Sequence, residues 1–210
     1  MNSAPLQKKR DKTIQRIFDA ATKTFAAKGF AGARMDEIAR LARVNKATIY
    51  YHVGDKRTLY ERILNDIFSG IAEHLAQNDN MASPAEERLR MFVRTLANLV
   101  DHNADLAAIM LREQAAGAKD FPEIVARDVS QIIGLLSEIL DDGVKAGIFK
   151  PATPMIVHLM IIGTMVFTKM SSPIRSKLAD HVAAFENIGN RLKDEVAVEI
   201  ESLILDAVRR

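Results

Sequence analysis

The sequence predicts an all-α protein in two parts, and three observations predict it. Apolar residues recur at helical spacing along most of the 210 residues, and no stretch alternates with period two for long enough to be a strand. The stretch from Arg34 to Leu59 reads as two short helices across a tight turn, with a third beginning behind them. Charge is also divided along the chain. Through Arg62 there are 14 Lys and Arg against six Asp and Glu, whereas the remainder carries 15 against 21. A basic end on an acidic body suits a phosphate-binding head joined to a non-binding remainder. The expected layout is a three-helix helix-turn-helix head with a basic N-terminal arm over 1–54. A helical effector-binding and dimerisation bundle follows over 55–210.

Each element has its own justification. Residues 1 to about 11, with Lys8, Lys9 and Arg10, read as a polar arm. From Thr13 to Lys28, Ile14, Ile17, Phe18, Ala21 and Phe25 form a stripe that Gly29 closes. Met35, Ile38 and Ala39 mark the next helix. Ala42-Arg43-Val44 is too short to be an independent loop, so a second helix must cross the first steeply. Asn45 is suited to cap that helix, its side-chain oxygen taking the amide of Thr48. Only Ile49 and Val53 carry the apolar phase there. The outward positions are Lys46, Ala47, Thr48, Tyr50, Tyr51 and His52. A two-turn helix loaded with hydrogen-bonding groups on its free face fits a recognition helix in the DNA major groove. In that pose Asn45, Ala47 and Thr48 lie nearest base edges, while Lys46, Tyr50, Tyr51, His52 and Lys56 match the phosphate backbone. Arg34, at the start of the preceding helix, joins this DNA-facing set.

Gly54-Asp55-Lys56 reads as a break and a cap before a helix to about Ala76, with Leu59, Ile63, Ile67 and Ile71 on one side. The run at 77–82 is a polar linker. Ser83-Pro84-Ala85-Glu86 has the form of a capping box, opening a helix with Phe92 and Leu96 on its apolar face. Asn103 is expected to cap a helix holding Leu106, Ile109, Met110 and Glu113. Asp120-Phe121-Pro122 opens a long one bearing Ile132 and Leu136, and Gly147 follows its end. Thr153-Pro154 starts a helix that is apolar nearly all round, from Met155 to about Lys169. Such a helix has no solvent face, so one side needs a second surface. A helix opens at Ser172-Pro173, and the last one carries Leu192, Val196, Ile200 and Leu203. Ile161, Met165, Leu192, Val196, Ile200 and Leu203 are the expected dimer interface.

Composition excludes several classes. The chain has no cysteine, hence no disulfide framework, thiolate metal site or cysteine nucleophile. The N-terminus lacks a hydrophobic signal region, and the most apolar segment is too short to span a bilayer, so a cytoplasmic protein is expected. His52, His74, His102, His158 and His181 are scattered, and no H-E-x-x-H, glycine-rich phosphate loop or serine elbow occurs. No catalytic residue, metal or other cofactor is expected, and a small helical enzyme has no motif to rest on. An apolar cavity is expected among Phe92, Leu96, Met110, Ile132, Leu136, His158 and Ile162, which implies an apolar or amphipathic effector. His158 is either its orienting polar group or a plain core histidine. Glu113 either faces the cavity or pairs with Arg112.

The run I17-F-D-A-A-x-x-x-F25, then G29-F30, I38-A39, K46-A-T-I-Y50-Y-H52 and K56-x-x-L59, resembles the DNA-binding domain of the TetR family of transcription regulators. The resemblance covers about residues 13–64. Arg43 stands where the family usually has glycine, Ala33-Arg34 where the helix usually opens on Thr or Ser, and Val53 where Phe is usual. The resemblance implies phosphate contacts at Tyr50–His52 and Lys56 and a dimer through the final helices. The expected protein is a dimeric repressor that leaves a palindromic operator when its effector binds, the signal passing along the helix at 56–76. A constitutive dimeric DNA-binding protein is the alternative.

Overall fold

A computed structural model describes the backbone of residues 4–179 and 196–210, and the side chains of 11–178 and 197–210. Among the described residues there are ten helices and no strand: α1 (Ala4–Gly32), α2 (Met35–Ala42), α3 (Lys46–His52), α4 (Lys56–Asn78), α5 (Ala85–His102), α6 (Ala104–Ala115), α7 (Glu123–Lys145), α8 (Pro154–Met170), α9 (Ser172–Ala179) and α10 (Val196–Val208). No single one is long and apolar enough to cross a membrane; α8 and α9 meet at a 59° bend. The chain divides into two compact units. One takes residues 1–68 with 105–126, the other 69–104 with 127–210.

The first unit is built on the stripe the sequence displays. Ile17, Ala21 and Phe25 of α1 are buried with Ile38 and Ala39 of α2, Ile49 of α3, and Leu59, Tyr60 and Ile63 of α4. Residues 4–11, read from sequence as a polar arm, continue α1 as helix. The expected break falls at Gly29, whose φ of 70° interrupts α1 one turn before its end. Phe25, Phe30 and Tyr60 make an aromatic cluster with centroids 4.8 Å apart for Phe25–Tyr60 and 5.1 Å for Phe30–Tyr60.

In the second unit α10 packs on α5 and α8, and α8 also meets α5. Leu89, Phe92, Val93, Leu96, Ile132, Leu136, Ile139, Ile161, Ile200 and Ile204 are buried there. Arg88 is almost wholly buried. Its guanidinium donates twice to the Asp79 carboxylate, at 2.8 Å each, and once to Asp142 at 2.7 Å. That holds the loop before α5 and the end of α7 onto one side chain. Glu201 of α10 is likewise buried and accepts from Arg90 and Arg94 of α5. Two backbone bonds, Lys150 N–H to the Val208 carbonyl and Arg210 N–H to the Ile148 carbonyl, fasten the end of α10 beside Phe149. Phe149 in turn lies against Gly143, where an added Cβ would fall 2.0 Å from the ring.

Three expectations about helix ends and faces are corrected. The capping box at Ser83 does not form. Pro84 is the cap residue without a side-chain bond, and Ser83 Oγ accepts from Asn80 instead. Asn103 closes α5, its side-chain amide donating to the Leu99 carbonyl. Helix α8 carries two apolar stripes. Val157, Ile161 and Met165 face inward, while Ile156, Leu159, Met160, Phe167 and Met170 are exposed. Ile161 and Met165, expected at a dimer interface, are therefore interior residues of the protomer, as is Ile200. An all-apolar helix has no polar side to give its phase. Leu203 is exposed as expected. Leu192 lies outside the described residues, and Val196 is described only in its backbone.

Candidate functional site

The helix-turn-helix is assembled by local bonds. Helix α2 ends at Arg43, which adopts the left-handed conformation (φ 55°, ψ 46°), and its N–H reaches back to Ala39 and Arg40 carbonyls. Two residues on, Asn45 caps α3. Its Oδ1 accepts from the Thr48 N–H and from the Thr48 hydroxyl, both at 2.7 Å. Ile49, buried on the inner face, fixes the rotation of α3, so the opposite face is necessarily turned outward. Tyr51 is 82% exposed and Tyr50 47%. Asn45, Lys46 and Ala47 are also exposed, and Thr48 is half-buried. Arg34 is exposed at the N-cap of α2, where its side chain makes no capping bond.

Three of the positions expected to face DNA make contacts within the protein itself. Lys46 Nζ lies 3.0 Å from the Asp36 carboxylate, and that hydrogen bond raises the Lys46 pKa. His52 is half-buried, with a buried Nδ1 that has no hydrogen-bond partner, and its ring meets that of Tyr51 edge-on. Lys56 lies over the Phe30 ring and donates to the carbonyls of Phe30 at 2.9 Å and Ala33 at 3.2 Å. It ties the end of α1 to the start of α4 with two of its three ammonium donors, where a phosphate contact is expected from sequence. Asp55 behaves as the expected cap of α4, taking the Thr58 N–H at 2.8 Å, which lowers its pKa.

Sequence reasoning missed how α6 joins this unit. The Tyr60 hydroxyl donates to Glu113 Oε1 at 2.8 Å, with both side chains buried. Burial, then the Glu113 bond, push the Tyr60 pKa far up. Arg112 donates to the Ala26 carbonyl at 2.8 Å, and Arg57 to the Asp120 carbonyl and carboxylate at 2.9 Å each. Glu113 is thus paired with Tyr60 and not with Arg112. The one available signal was an acidic residue on the apolar stripe of Leu106, Ile109 and Met110.

Most of the expected effector residues pack inward, and among the described residues the crevice at Phe92 is small. Phe92, Leu96, Ile132 and Leu136 are buried in the second unit, and Ile162 and His158 are half-buried there. Met110 belongs to the first unit. The crevice beside Phe92, lined also by Leu75, Arg88, Met91, Leu135 and Ile139, holds about 10 Å³. An effector cleft needs roughly 300–1,000 Å³. His158 Nδ1 is buried without a partner, and burial lowers the His158 pKa.

Two family models match this chain in succession. Residues 17–63 match the one described as bacterial regulatory proteins of the tetR family, and residues 82–170 match a tetracyclin repressor-like C-terminal domain. The chain belongs to the TetR family. It is similar to the transcriptional repressor NicS of Pseudomonas putida, with 27% identity over 67% of each chain. A TetR-family regulatory protein from Rhodococcus RHA1 has the same fold, with a TM-score of 0.72 at 20% identity, covering 94% of this chain and 97% of that one. The Bacillus subtilis regulator FadR, solved in complex with stearoyl-CoA, has a TM-score of 0.58 at 20% identity over 87% of this chain and 98% of that one. This TetR-family chain is thus a transcriptional regulator whose α2–α3 pair is the family's helix-turn-helix.

Proposed function

We propose that this regulator is a homodimeric repressor, that α3 reads a palindromic operator in the major groove, and that a small apolar or amphipathic effector releases it. The observation that carries the reading is the outward face of α3, a capped two-turn helix whose free surface is Lys46, Ala47, Thr48, Tyr50 and Tyr51. Asn45, Ala47 and Thr48 are placed nearest base edges, with Arg34, Lys46, Tyr50, Tyr51 and His52 on phosphates. The Thr48 hydroxyl already donates to Asn45, so it would present its lone pairs to a base-edge donor. For the dimer, the exposed stripe of α8 and Leu203 of α10 replace the interior residues named from sequence. Apolar side chains in such a row are an interaction surface rather than scattered surface residues.

The effector half of the reading draws on the C-terminal family match and on FadR, which binds a long acyl chain. An effector seated beside Phe92 would require the narrow crevice there to widen. Ligand and DNA would then favour different conformations, which is the condition for one to displace the other. The same closed packing favours a second reading, a constitutive regulator whose body serves dimerisation alone. The deciding experiment is operator binding by fluorescence anisotropy, using the DNA flanking the protein's own gene, with and without a panel of fatty acids and acyl-CoA thioesters. Release by a member of the panel supports effector control, and unchanged affinity across it supports the constitutive reading. Within that assay Thr48→Ala is expected to relax preference at one base pair by about 1–3 kcal/mol. An unchanged preference at every base pair would remove Thr48 from the base-reading set.

A further inference from the structure

The turn of the helix-turn-helix holds a side chain that the folding of the head does not use. Arg43 and Ala118 are the non-glycine residues with positive φ among those described. The left-handed region crowds Cβ against the backbone, so glycine is the residue that fits it without cost. A strained position retained by a long cation calls for a reason in what the cation touches.

Nothing among the described residues supplies that reason. Of the neighbouring cations of the head, Lys28 is engaged with Glu37, Lys46 with Asp36, Lys56 with two carbonyls and Arg57 with Asp120, whereas Arg34 and Arg40 of α2 are exposed like Arg43 and have no side-chain partner among the described residues. Among the described residues, the Arg43 guanidinium has no carboxylate, carbonyl or ring partner, and the residue is exposed. Its place is also defined. Asp36 and Arg40 lie four residues apart on one flank of α2, and Arg43 follows as its left-handed C-cap. Lys46 reaches Asp36 on that flank, so the flank borders the first turn of α3. In a helix-turn-helix the N-terminal residues of the second helix enter the groove while the first helix crosses the backbone. A guanidinium at the junction of the two stands at the groove wall, where phosphates are.

We propose that Arg43 is a DNA-backbone contact carried by the turn itself, its guanidinium gripping the phosphate at the edge of the groove that α3 enters. This rests on the DNA-binding reading above. The left-handed backbone aims the side chain out of the turn, and the cation is free because its partner is the nucleic acid. Arginine suits the role, since its planar fork matches two phosphate oxygens at once.

The test uses the full chain, a duplex that the wild type binds, an unrelated duplex of equal length, and salt titration from 50 to 200 mM. Arg43→Gly removes both the cation and the strain, Arg43→Asn removes the cation at a residue that tolerates this backbone, and Arg43→Lys keeps the charge. The Gly and Asn variants are expected to lower the salt slope by about 0.9 per head, so about 1.8 for a two-headed complex. Over that fourfold salt range the wild type then loses about 12-fold more affinity than either variant. The loss of slope is expected on both duplexes, Arg43→Lys is expected to retain the slope, and Arg43→Gly to melt at a higher temperature. Wild-type slopes in the Gly and Asn variants, with Lys46→Ala still losing its share, would overturn the assignment and leave the DNA-binding reading intact. A loss confined to the specific duplex would make Arg43 a base contact and overturn it likewise. A wild type that binds no duplex overturns both.

Discussion

Replacing Tyr60 by Phe tests the link between α4 and α6 at its centre. Among the described residues, the Tyr60 hydroxyl is the one hydrogen-bond partner of the Glu113 carboxylate, whose Oε2 is already buried without a partner. Tyr60 is wholly buried and Glu113 only 4% exposed, so no water replaces the lost donor without rearrangement. A hydrogen bond to a charged group contributes about 1.5–3 kcal/mol, and a buried charged acceptor left alone costs at least as much. Tyr60→Phe should therefore destabilise the protein by about 2–3 kcal/mol, lowering the melting temperature by roughly 4–12 °C for a chain of this size. Tyr60→Phe with Glu113→Leu removes both partners and should recover most of the loss, because no polar group is then left unpaired. Urea unfolding followed by circular dichroism at 222 nm gives all three values, and the double-mutant cycle isolates the pair. A Tyr60→Phe variant within about 0.5 kcal/mol of the wild type, the spread of ordinary substitutions away from such features, would refute the argument.

Other expectations follow from the second unit. Gly143→Ala puts a methyl 2.0 Å from the buried Phe149 ring, so the ring must move; a cost of about 1–3 kcal/mol is expected, and thermal melting checks it. Burial holds the His158 pKa below its ordinary value, so the unfolded chain takes up the proton first as pH falls. Stability from this group is present above about pH 6.5 and is lost as pH drops toward the folded-state pKa; His158→Leu should flatten that part of the stability–pH curve relative to wild type. Leu203→Glu alters an exposed residue in the isolated protomer but an unpaired buried charge in the proposed dimer. It should shift sedimentation from dimer to monomer, at a cost on the order of 3–5 kcal/mol; a wild type that sediments as a monomer at micromolar concentration would remove the interface.

Legibility from sequence followed the range of the interactions. The Asn45 cap could be read because it joins residues three apart, and the break at Gly29 because one residue's backbone decides it. The same local reasoning failed at Ser83. Pro84 took the cap position there, and the serine hydroxyl turned back to Asn80. On α8 the periodicity was present twice over, so the inward stripe through Ile161 could not be told from the outward one through Met160. Glu113 and Tyr60 are 53 residues apart, and Asp36 meets Lys46 only once two helices have packed. Those pairings come from tertiary structure, and the spacing within any one segment does not contain them.

The chain has no tryptophan and three tyrosines, and Tyr50, Tyr51 and Tyr60 all fall in the first unit. Tyrosine emission, excited near 280 nm, therefore originates from the first unit, which carries the helix-turn-helix. Fluorescence melting would follow one half of the molecule while helix dichroism follows both. Coincident curves would mean that the two halves unfold as one cooperative system, and separated curves would assign the earlier loss to a known half without any label. Tyr51 is the most exposed of the three, so in the proposed DNA-binding pose the same emission would also report DNA engagement.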